Sequence, residues 1–334
     1  MTDASPALST AAASPSTGPP SQRRDATLVV EGVTKRYGDF TAVDGVSFTA
    51  QPGRILGVLG PNGAGKTSTI RMVTGITLPD AGRVTVGGEA VGAATQARMG
   101  YLPEERGLYR KLKVGEQLVY FAELRGLSRA EGRARTRHWL ERLGLSDWAG
   151  RKTEELSKGM QQKLQFVMTV LHDPDLLVFD EPFSGLDPIN AELLRDIVLE
   201  FRAEGRTILF ASHRMEQVER LCDDLCLIAR GRVVLSGTMR EVKAGFGRDV
   251  VLLDFAGPST FLDRLAGEGA LRVIERGPGA AEVQLLGGTN ARRVLEAAMA
   301  EVTDLHRFEL AEPSLQEIFI RTVGEAAQPL PPGA

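Results

Sequence analysis

The stretch GPNGAGKT, residues 60–67, constrains this chain more than any other part of it. It fits G-x-x-x-x-G-K-[ST] on Gly60, Gly65, Lys66 and Thr67. Its surroundings fit as well: the β-rich run RILGVL (54–59) precedes it. TSTIRMVTGI follows as a helix with Ile70, Val73 and Thr74 on one side, ending at Gly75. A strand that passes into a helix through glycines can turn its backbone N–H groups inward around an anion, and the helix start adds a positive end. Gly60, Pro61, Asn62, Gly63, Ala64 and Gly65 are the cradle for β- and γ-phosphates, with Lys66 as a point charge, the Thr67 hydroxyl as a ligand for Mg²⁺, and Ser68 beside it. A plain Gly-rich turn is the alternative, and it would not require a strand before and a helix after.

The runs LLVFD (176–180) and TILFAS (207–212) are nearly all apolar, as expected of parallel strands buried on both faces. Between them, Leu194, Ile197, Val198 and Phe201 recur at helical spacing and the helix closes at Gly205. Strand, helix, strand predicts a parallel sheet. The first strand ends in Asp180 and Glu181, at the sheet edge where open α/β folds bind ligands. Asp180 is the candidate to hold the metal through water, and Glu181 to orient or deprotonate an attacking water. The plain alternative is a solvated acidic pair before Pro182. His213 ends the next strand and is the candidate to touch a γ-phosphate, whereas His138, His172 and His306 read as inert. In SGLDP (184–188), Asp187 and Pro188 are the cap and first residue of the following helix, which is reason enough for both.

With 334 residues, 43% of them hydrophobic, the chain can build one large core and a smaller one. A net charge of −3 leaves no basic footprint, so nucleic acid is not an expected partner. Cys222 and Cys226 lack a second pair or a His cluster at metal spacing and read as two small buried side chains at a helix-to-strand junction. Residues 1–24, rich in Ser, Thr, Pro and Ala, have no apolar signal core and read as a disordered tail. No window approaches the roughly 18 apolar residues of a membrane span. The chain therefore reads as soluble, with any membrane role borrowed from a partner.

The remainder divides by pattern. LVVEGV and GVSFTA are short β-rich runs ahead of the loop, RVTVGGE (83–89) is a strand and turn, and 114–148 is helical with a basic tract from Arg129 to Arg142. That tract is either a solvated helix face or a contact for another protein. LCLIARGRVVLSG (225–237) is a hairpin turning at Arg230 to Arg232, and GFGRD (245–249) is a hinge. VVLLDF, a helix near 259–266, LRVIER, AEVQLL, a helix near 289–301, LHRFEL and the helix SLQEIFIRTV then form a compact α+β unit.

Taken in order, GPNGAGKT, GYLPE (100–104), LSKGM (156–160), LLVFDEP, SGLD and SH resemble the nucleotide-binding subunit of ATP-binding cassette (ABC) transporters over about 27–245. The resemblance implies an α/β fold: a P-loop NTPase core with a mostly parallel sheet, an antiparallel β subdomain and a helical subdomain. The expected division is a tail over 1–24, an ABC ATPase domain over 25–245 with its helical subdomain at about 113–173, an accessory α+β domain over 248–324 and a tail over 325–334. The accessory unit resembles that on ATPase subunits of some bacterial sodium- and drug-extrusion systems. That second likeness implies an exporter; the ABC resemblance implies an ATP-hydrolysing motor with Mg²⁺, two copies paired head to tail, driving a separate multi-spanning permease from the cytoplasmic face of the membrane.

By the same resemblance, Lys66, Glu181 and His213 carry catalysis, and Tyr37 in KRYGDF stacks on adenine, unless it merely fills the sheet edge. Ser157 and the Gly159 backbone hold the γ-phosphate of a neighbour's ATP, and Asp187 lies across the dimer interface. The helix behind that turn would bury Met160, Leu164, Val167, Met168 and Leu171. Two departures stand out. The family's Leu-Ser-Gly-Gly-Gln becomes Leu156-Ser157-Lys158-Gly159-Met160, and Glu104 replaces the glutamine that senses Mg²⁺; a carboxylate reaches a metal but cannot donate as an amide does. A soluble ABC-type ATPase acting on ribosomes or nucleic acid is the second reading; such proteins carry two cassettes or long heptad insertions, and this chain has neither. A small-molecule kinase would need no turn at 156–160.

Overall fold

A computed structural model describes residues 25–326 of the protein, apart from Arg106 and Arg248. The tail expected over 1–24 and all but the first two residues of that over 325–334 lie outside the described residues. Strands β1 (Leu28–Tyr37), β2 (Phe40–Ala50) and β3 (Ile55–Leu59) lead into helix α1 (Lys66–Val73); β4 (Ala81–Val86), β5 (Glu89–Ala90) and α2 (Ala93–Ala97) precede β6 (Met99–Leu102). Three helices follow, α3 (Val114–Leu124), α4 (Arg129–Arg142) and α5 (Lys158–Val170). Next come β7 (Leu176–Asp180), α6 (Pro188–Ala203), β8 (Thr207–Ala211), α7 (Met215–Leu221), β9 (Asp224–Ala229), β10 (Arg232–Thr238) and α8 (Met239–Gly245). The last part is β11 (Val250–Ala256), α9 (Thr260–Gly267), β12 (Leu271–Gly277), β13 (Ala280–Leu285), α10 (Ala291–Glu301), β14 (Asp304–Ala311) and α11 (Leu315–Ala326).

The central sheet runs β10-β9-β3-β8-β7-β6, all parallel except β10, which closes the hairpin read at 225–237. Every residue of β3, β7 and β8 is buried, and alternate side chains feed two cores. Ile55, Leu177, Phe179, Ile208 and Phe210 pack against α5, α6 and α7; Leu56, Val58, Val178 and Leu209 pack against α1 and the antiparallel sheet β2-β1-β4-β5. Burying each such side chain contributes about 1.5–3 kcal/mol, so both faces of the sheet are fixed. Its C-terminal edge is thereby held in place. Trp139 joins the helical segment to this core, with its ring 6.4 Å from Phe166 and 6.0 Å from Phe201, while Phe166 stacks on Phe179 at 5.5 Å.

Helix α5 is buried more completely than its apolar spacing predicts. Leu164, Val167 and Leu171 are buried as expected and Met160 and Met168 partly so, but Gln162, Lys163, Gln165, Phe166 and Thr169 are buried too. Their donors are taken up inside the chain: Gln162 Nε2 donates to Pro182 O at 2.9 Å, Gln165 Nε2 to Pro103 O at 3.0 Å, and Lys163 Nζ to Leu143 O at 2.8 Å, while Gln165 Oε1 is buried without a partner. Each binds a loop carbonyl that a sequence cannot reveal. Two further elements carry weak signals. Strand β6 contains Gly100, where a Cβ would sit 2.4 Å from Thr169 O, and α8 is short but opens with a reciprocal Thr238–Glu241 capping box.

The third sheet, β12-β13-β11-β14, is antiparallel and covers one face with α9 and α10 through Val251, Leu253, Phe255, Phe261, Val283 and Val294. Helix α11 leaves this unit and packs beside α7: Leu315 and Ile318 are fully buried in the same core as Val218 and Leu221. Its Leu315 N–H donates to Glu219 Oε2 at 2.9 Å, and Arg321 binds Asp249 at 3.0 Å, stitching across the segment expected as a hinge. Cys222 caps α7 and Cys226 lies in β9, both free and buried; burial pushes the Cys226 thiol up to about 12 and also raises the Cys222 thiol well above its ordinary value. Among the described residues no helix is long and apolar enough to cross a membrane.

Candidate nucleotide site

Two glycines of the loop from β3 to α1 sit where neighbours leave no room for a side chain, and Gly63, in open space, has φ +78. A Cβ on Gly60 would lie 2.2 Å from Ile228 O, and Gly65 has φ +104 with Ala42 O 2.5 Å from where its Cβ would stand. Gly65 caps α1, so Lys66, Thr67 and Ser68 form its first turn. Lys66 Nζ donates to Gly60 O at 2.6 Å and Pro61 O at 3.1 Å. Burial lowers its pKa, and the charges of Glu181, Asp180 and Glu104 oppose that. The ammonium is thus parked on the loop that it would serve.

The acidic side comes from β6 and β7. Asp180, the last residue of β7, is 4% exposed and its Oδ2 has no hydrogen-bond partner. Burial, then the negative charges of Glu104 and Glu181, push its pKa up to about 6. Glu181 follows at φ +51, an uncommon backbone for a residue with a side chain, held by its N–H donating to Ala211 O at 2.9 Å. Its carboxylate meets the end of β8: Oε2 accepts from Ser212 Oγ at 3.0 Å, and Oε1 accepts from His213 N at 2.6 Å with His213 Nδ1 at 2.7 Å. The His213 side chain is 61% exposed, so its ring can turn without repacking the core.

One cleft of about 260 Å³ collects these groups: Asn62, Gly63, Ala64, Gly65, Lys66, Thr67, Ser68, Glu104, Asp180, Glu181 and His213, with Tyr37, Phe40 and Ala42 at the other end. Gly60 and Pro61, the first residues of the loop, do not line the cleft; their carbonyls hold the Lys66 ammonium. Tyr37 is 46% exposed, so it does not fill the sheet edge, and Phe40, paired with it across the β1–β2 turn, is 64% exposed. Phe40 was legible only as the second aromatic of KRYGDF, and Ser212 only as the residue before the histidine. A larger cavity of about 580 Å³ lies between α3 and α4 and contains none of the phosphate-loop residues, so size alone does not locate the site.

Ser157, Gly159 and Asp187 are not brought to this cleft within one chain. Ser157 is exposed and caps α5, accepting from Met160 N at 3.2 Å. Asp187 is exposed and caps α6, accepting from Asn190 N at 3.0 Å; those Asn190 bonds hold its carboxyl below the usual range. A Cβ on Gly159 would meet only Gly185 O and a Leu186 methyl, both at 3.5 Å, ordinary contact distances.

The orphaned, buried Oδ2 of Asp180 beside two more carboxylates bears directly on Mg²⁺. Among the described residues no three His, Cys, Asp or Glu side chains form a ready-made cage. An ion bound through one or two protein groups, several waters and phosphate oxygens needs only a free carboxylate oxygen here, which Asp180 Oδ2 offers. The residues present fit it.

A glycine loop between a buried parallel strand and a helix, facing an acidic pair on the neighbouring strand end, defines a P-loop nucleoside triphosphatase. Residues 43–184 match the ABC transporter family, and residues 237–323 match the C-terminal domain of DrrA1-3-like ATP-binding proteins. The uncharacterized ABC transporter ATP-binding protein YhaQ of Bacillus subtilis is 43% identical over 297 residues, covering 89% of this chain and 98% of that protein. The Nod factor export ATP-binding protein I of Paraburkholderia xenovorans is 36% identical over 308 residues, covering 91% and 99%. A solved structure of the ATP-binding subunit of an ABC transporter superposes with a TM-score of 0.63 at 33% identity, covering 72% of this chain and 98% of its own. The chain belongs to the ATP-binding proteins of ABC transporters, and with that family comes ATP binding and hydrolysis.

Proposed function

We propose that this chain is the motor of an exporter: two copies pair head to tail on ATP, hydrolyse it with Mg²⁺, and drive a separate multi-spanning permease from the cytoplasmic face of the membrane. The observation that carries this is the one-sided cleft. One chain supplies the loop, Asp180, Glu181 and His213, while Ser157 and Gly159 stand outside at an exposed helix start. Packing inside the chain leaves ordinary space where a Gly159 Cβ would be, so the glycine answers to a close approach from outside. A second copy presenting its own phosphate would make that approach. Relatives named for Nod factor export and linearmycin resistance support the exporter reading.

In this account Lys66 leaves the Gly60 and Pro61 carbonyls to bind β- and γ-phosphate oxygens, and the loop N–H groups cradle the rest. Tyr37, with Phe40, receives the adenine. Thr67, Asp180 and Glu104 would hold Mg²⁺, which when bound supplies the charge that neutralises the phosphates. Glu181 orients or deprotonates the attacking water, and the His213 ring turns from Glu181 to the γ-phosphate. Asp187 faces the second copy. The permease docks in the α3–α4 cavity, whose rim carries exposed Arg133 and Arg137 and whose wall buries Thr136 Oγ1 with no partner.

Size-exclusion chromatography of Glu181→Gln with ATP, alone and with Ser157→Arg added, tests the pairing. A dimer in the first and a monomer in the second supports it; ATP-independent monomers in both, beside a wild type whose specific activity does not change with concentration, sink it.

A further inference from the structure

We infer that Ser212 is a positioning residue for ATP hydrolysis, its buried hydroxyl fixing one oxygen of the Glu181 carboxylate so that the other is aimed at the reacting phosphate. This rests on the reading of Glu181 as the water-activating group.

Three hydrogen bonds hold that carboxylate, and all come from one turn at the end of β8. They differ in permanence. The His213 imidazole is largely exposed, and in the proposed cycle it leaves for the γ-phosphate. The His213 backbone N–H, 2.6 Å from Oε1, and the Ser212 hydroxyl, 3.0 Å from Oε2, stay behind. Ser212 is fully buried and has no alternative orientation in solvent. Its oxygen accepts from Arg214 N at 3.1 Å, which fixes the hydroxyl from behind, and Gln217 Oε1 at 3.4 Å is the more distant competitor for its proton. The hydroxyl therefore donates to Glu181.

The strained backbone makes this contact matter. Glu181 sits at φ +51, and residues in that region keep their conformation only where their surroundings over-determine it. A carboxylate held at one oxygen by a backbone N–H can still rotate about its last torsion, which is broad and soft. A second donor on the other oxygen removes that freedom. Oε1 then loses the ring but keeps its direction, and it is the oxygen left to accept a proton from water.

The test is steady-state and single-turnover ATP hydrolysis by the full chain carrying Ser212→Ala or Ser212→Thr, each also in the Glu181→Gln background. Removing one hydrogen bond to a charged group should lower kcat by about 10- to 100-fold. The KM for ATP should stay within about twofold, since Ser212 does not line the cleft. Threonine, which keeps the hydroxyl, should recover most of kcat, and in Glu181→Gln the alanine change should cost nothing further, because residues acting as a unit do not add. Equal losses with and without Glu181, an unchanged kcat in Ser212→Ala, or a threonine variant that folds and binds ATP but is as slow as alanine would each overturn the assignment. If Glu181→Gln itself hydrolyses ATP at the wild-type rate, the reading of Glu181 fails first, and the positioning role with it.

Discussion

Replacing Asp180 by asparagine should stabilise the nucleotide-free protein at pH 7.5, although it removes a group from the centre of the site. The carboxyl is 4% exposed, its Oδ2 lacks a partner, and burial, with Glu104 and Glu181 adding repulsion, carries its pKa from 3.8 to about 6. At about 1.4 kcal/mol per pKa unit, holding it ionised costs the fold of the order of 3 kcal/mol. A raised carboxyl pKa means that the folded chain binds more protons than the unfolded chain between about pH 4 and about pH 6. Stability from this group therefore falls as pH rises through that window and stays at its lowest above it. Asparagine carries no charge, and its amide can donate to the neighbouring carboxylates. The stability difference, variant minus wild type, should be near zero at pH 4 and about 3 kcal/mol at pH 7.5. Urea unfolding followed by circular dichroism across that pH range, with chelator present, measures it. A variant that is less stable than wild type at pH 7.5, or a difference that does not change with pH, refutes the reasoning. The same variant should lose hydrolysis, and Mg²⁺ with ATP should raise the melting temperature of wild type only.

Three other sets of substitutions separate site from scaffold. Gly159→Ala meets no intrachain clash, so apo stability should rise by about 0.5–1 kcal/mol through helix propensity, while ATP-driven pairing is lost in size-exclusion runs. Tyr37→Ala and Phe40→Ala remove exposed rings; each should raise the KM for ATP by about 2- to 10-fold, the value of one aromatic contact, with kcat and melting temperature unchanged. Reversing Arg133 and Arg137 together to Glu should leave ATP binding intact and abolish permease stimulation of the ATPase; unchanged stimulation in reconstituted vesicles would remove the α3–α4 cavity from the account.

The central sheet was legible because a parallel strand buried on both faces has no polar positions to confuse its reading, as LLVFD and TILFA show. Helix α6 was legible at its start because Asp187 and Pro188 carry the capping chemistry locally. What was not legible depends on partners distant in sequence. The burial of Gln162, Lys163 and Gln165 in α5 is made possible by carbonyls of Pro182, Leu143 and Pro103. Strand β6 owes its place to a glycine that lets Thr169 O approach. The return of α11 to α7 turns on Leu315 and Ile318, two apolar residues that fit either unit equally well by pattern. In the site, the loop and the acidic pair were readable as spaced letters, because a backbone cradle needs contiguous residues. Ser212 and Phe40 were not, because the fold alone sets each beside its partner: Glu181 from another strand, Tyr37 across a turn.

The claim that the exposed turn at Ser157 completes a site on another copy is tested most directly by mixing two defective chains. Lys66→Ala lacks the phosphate ammonium but has an intact turn; Ser157→Arg has an intact loop and a blocked turn. Each alone should be inactive. Mixed, they should regain ATPase activity, since one of the two sites in a mixed pair joins an intact loop to an intact turn. A mixture as inactive as its components, with both chains folded, would mean that loop and turn must belong to the same chain, and the head-to-tail account would fall.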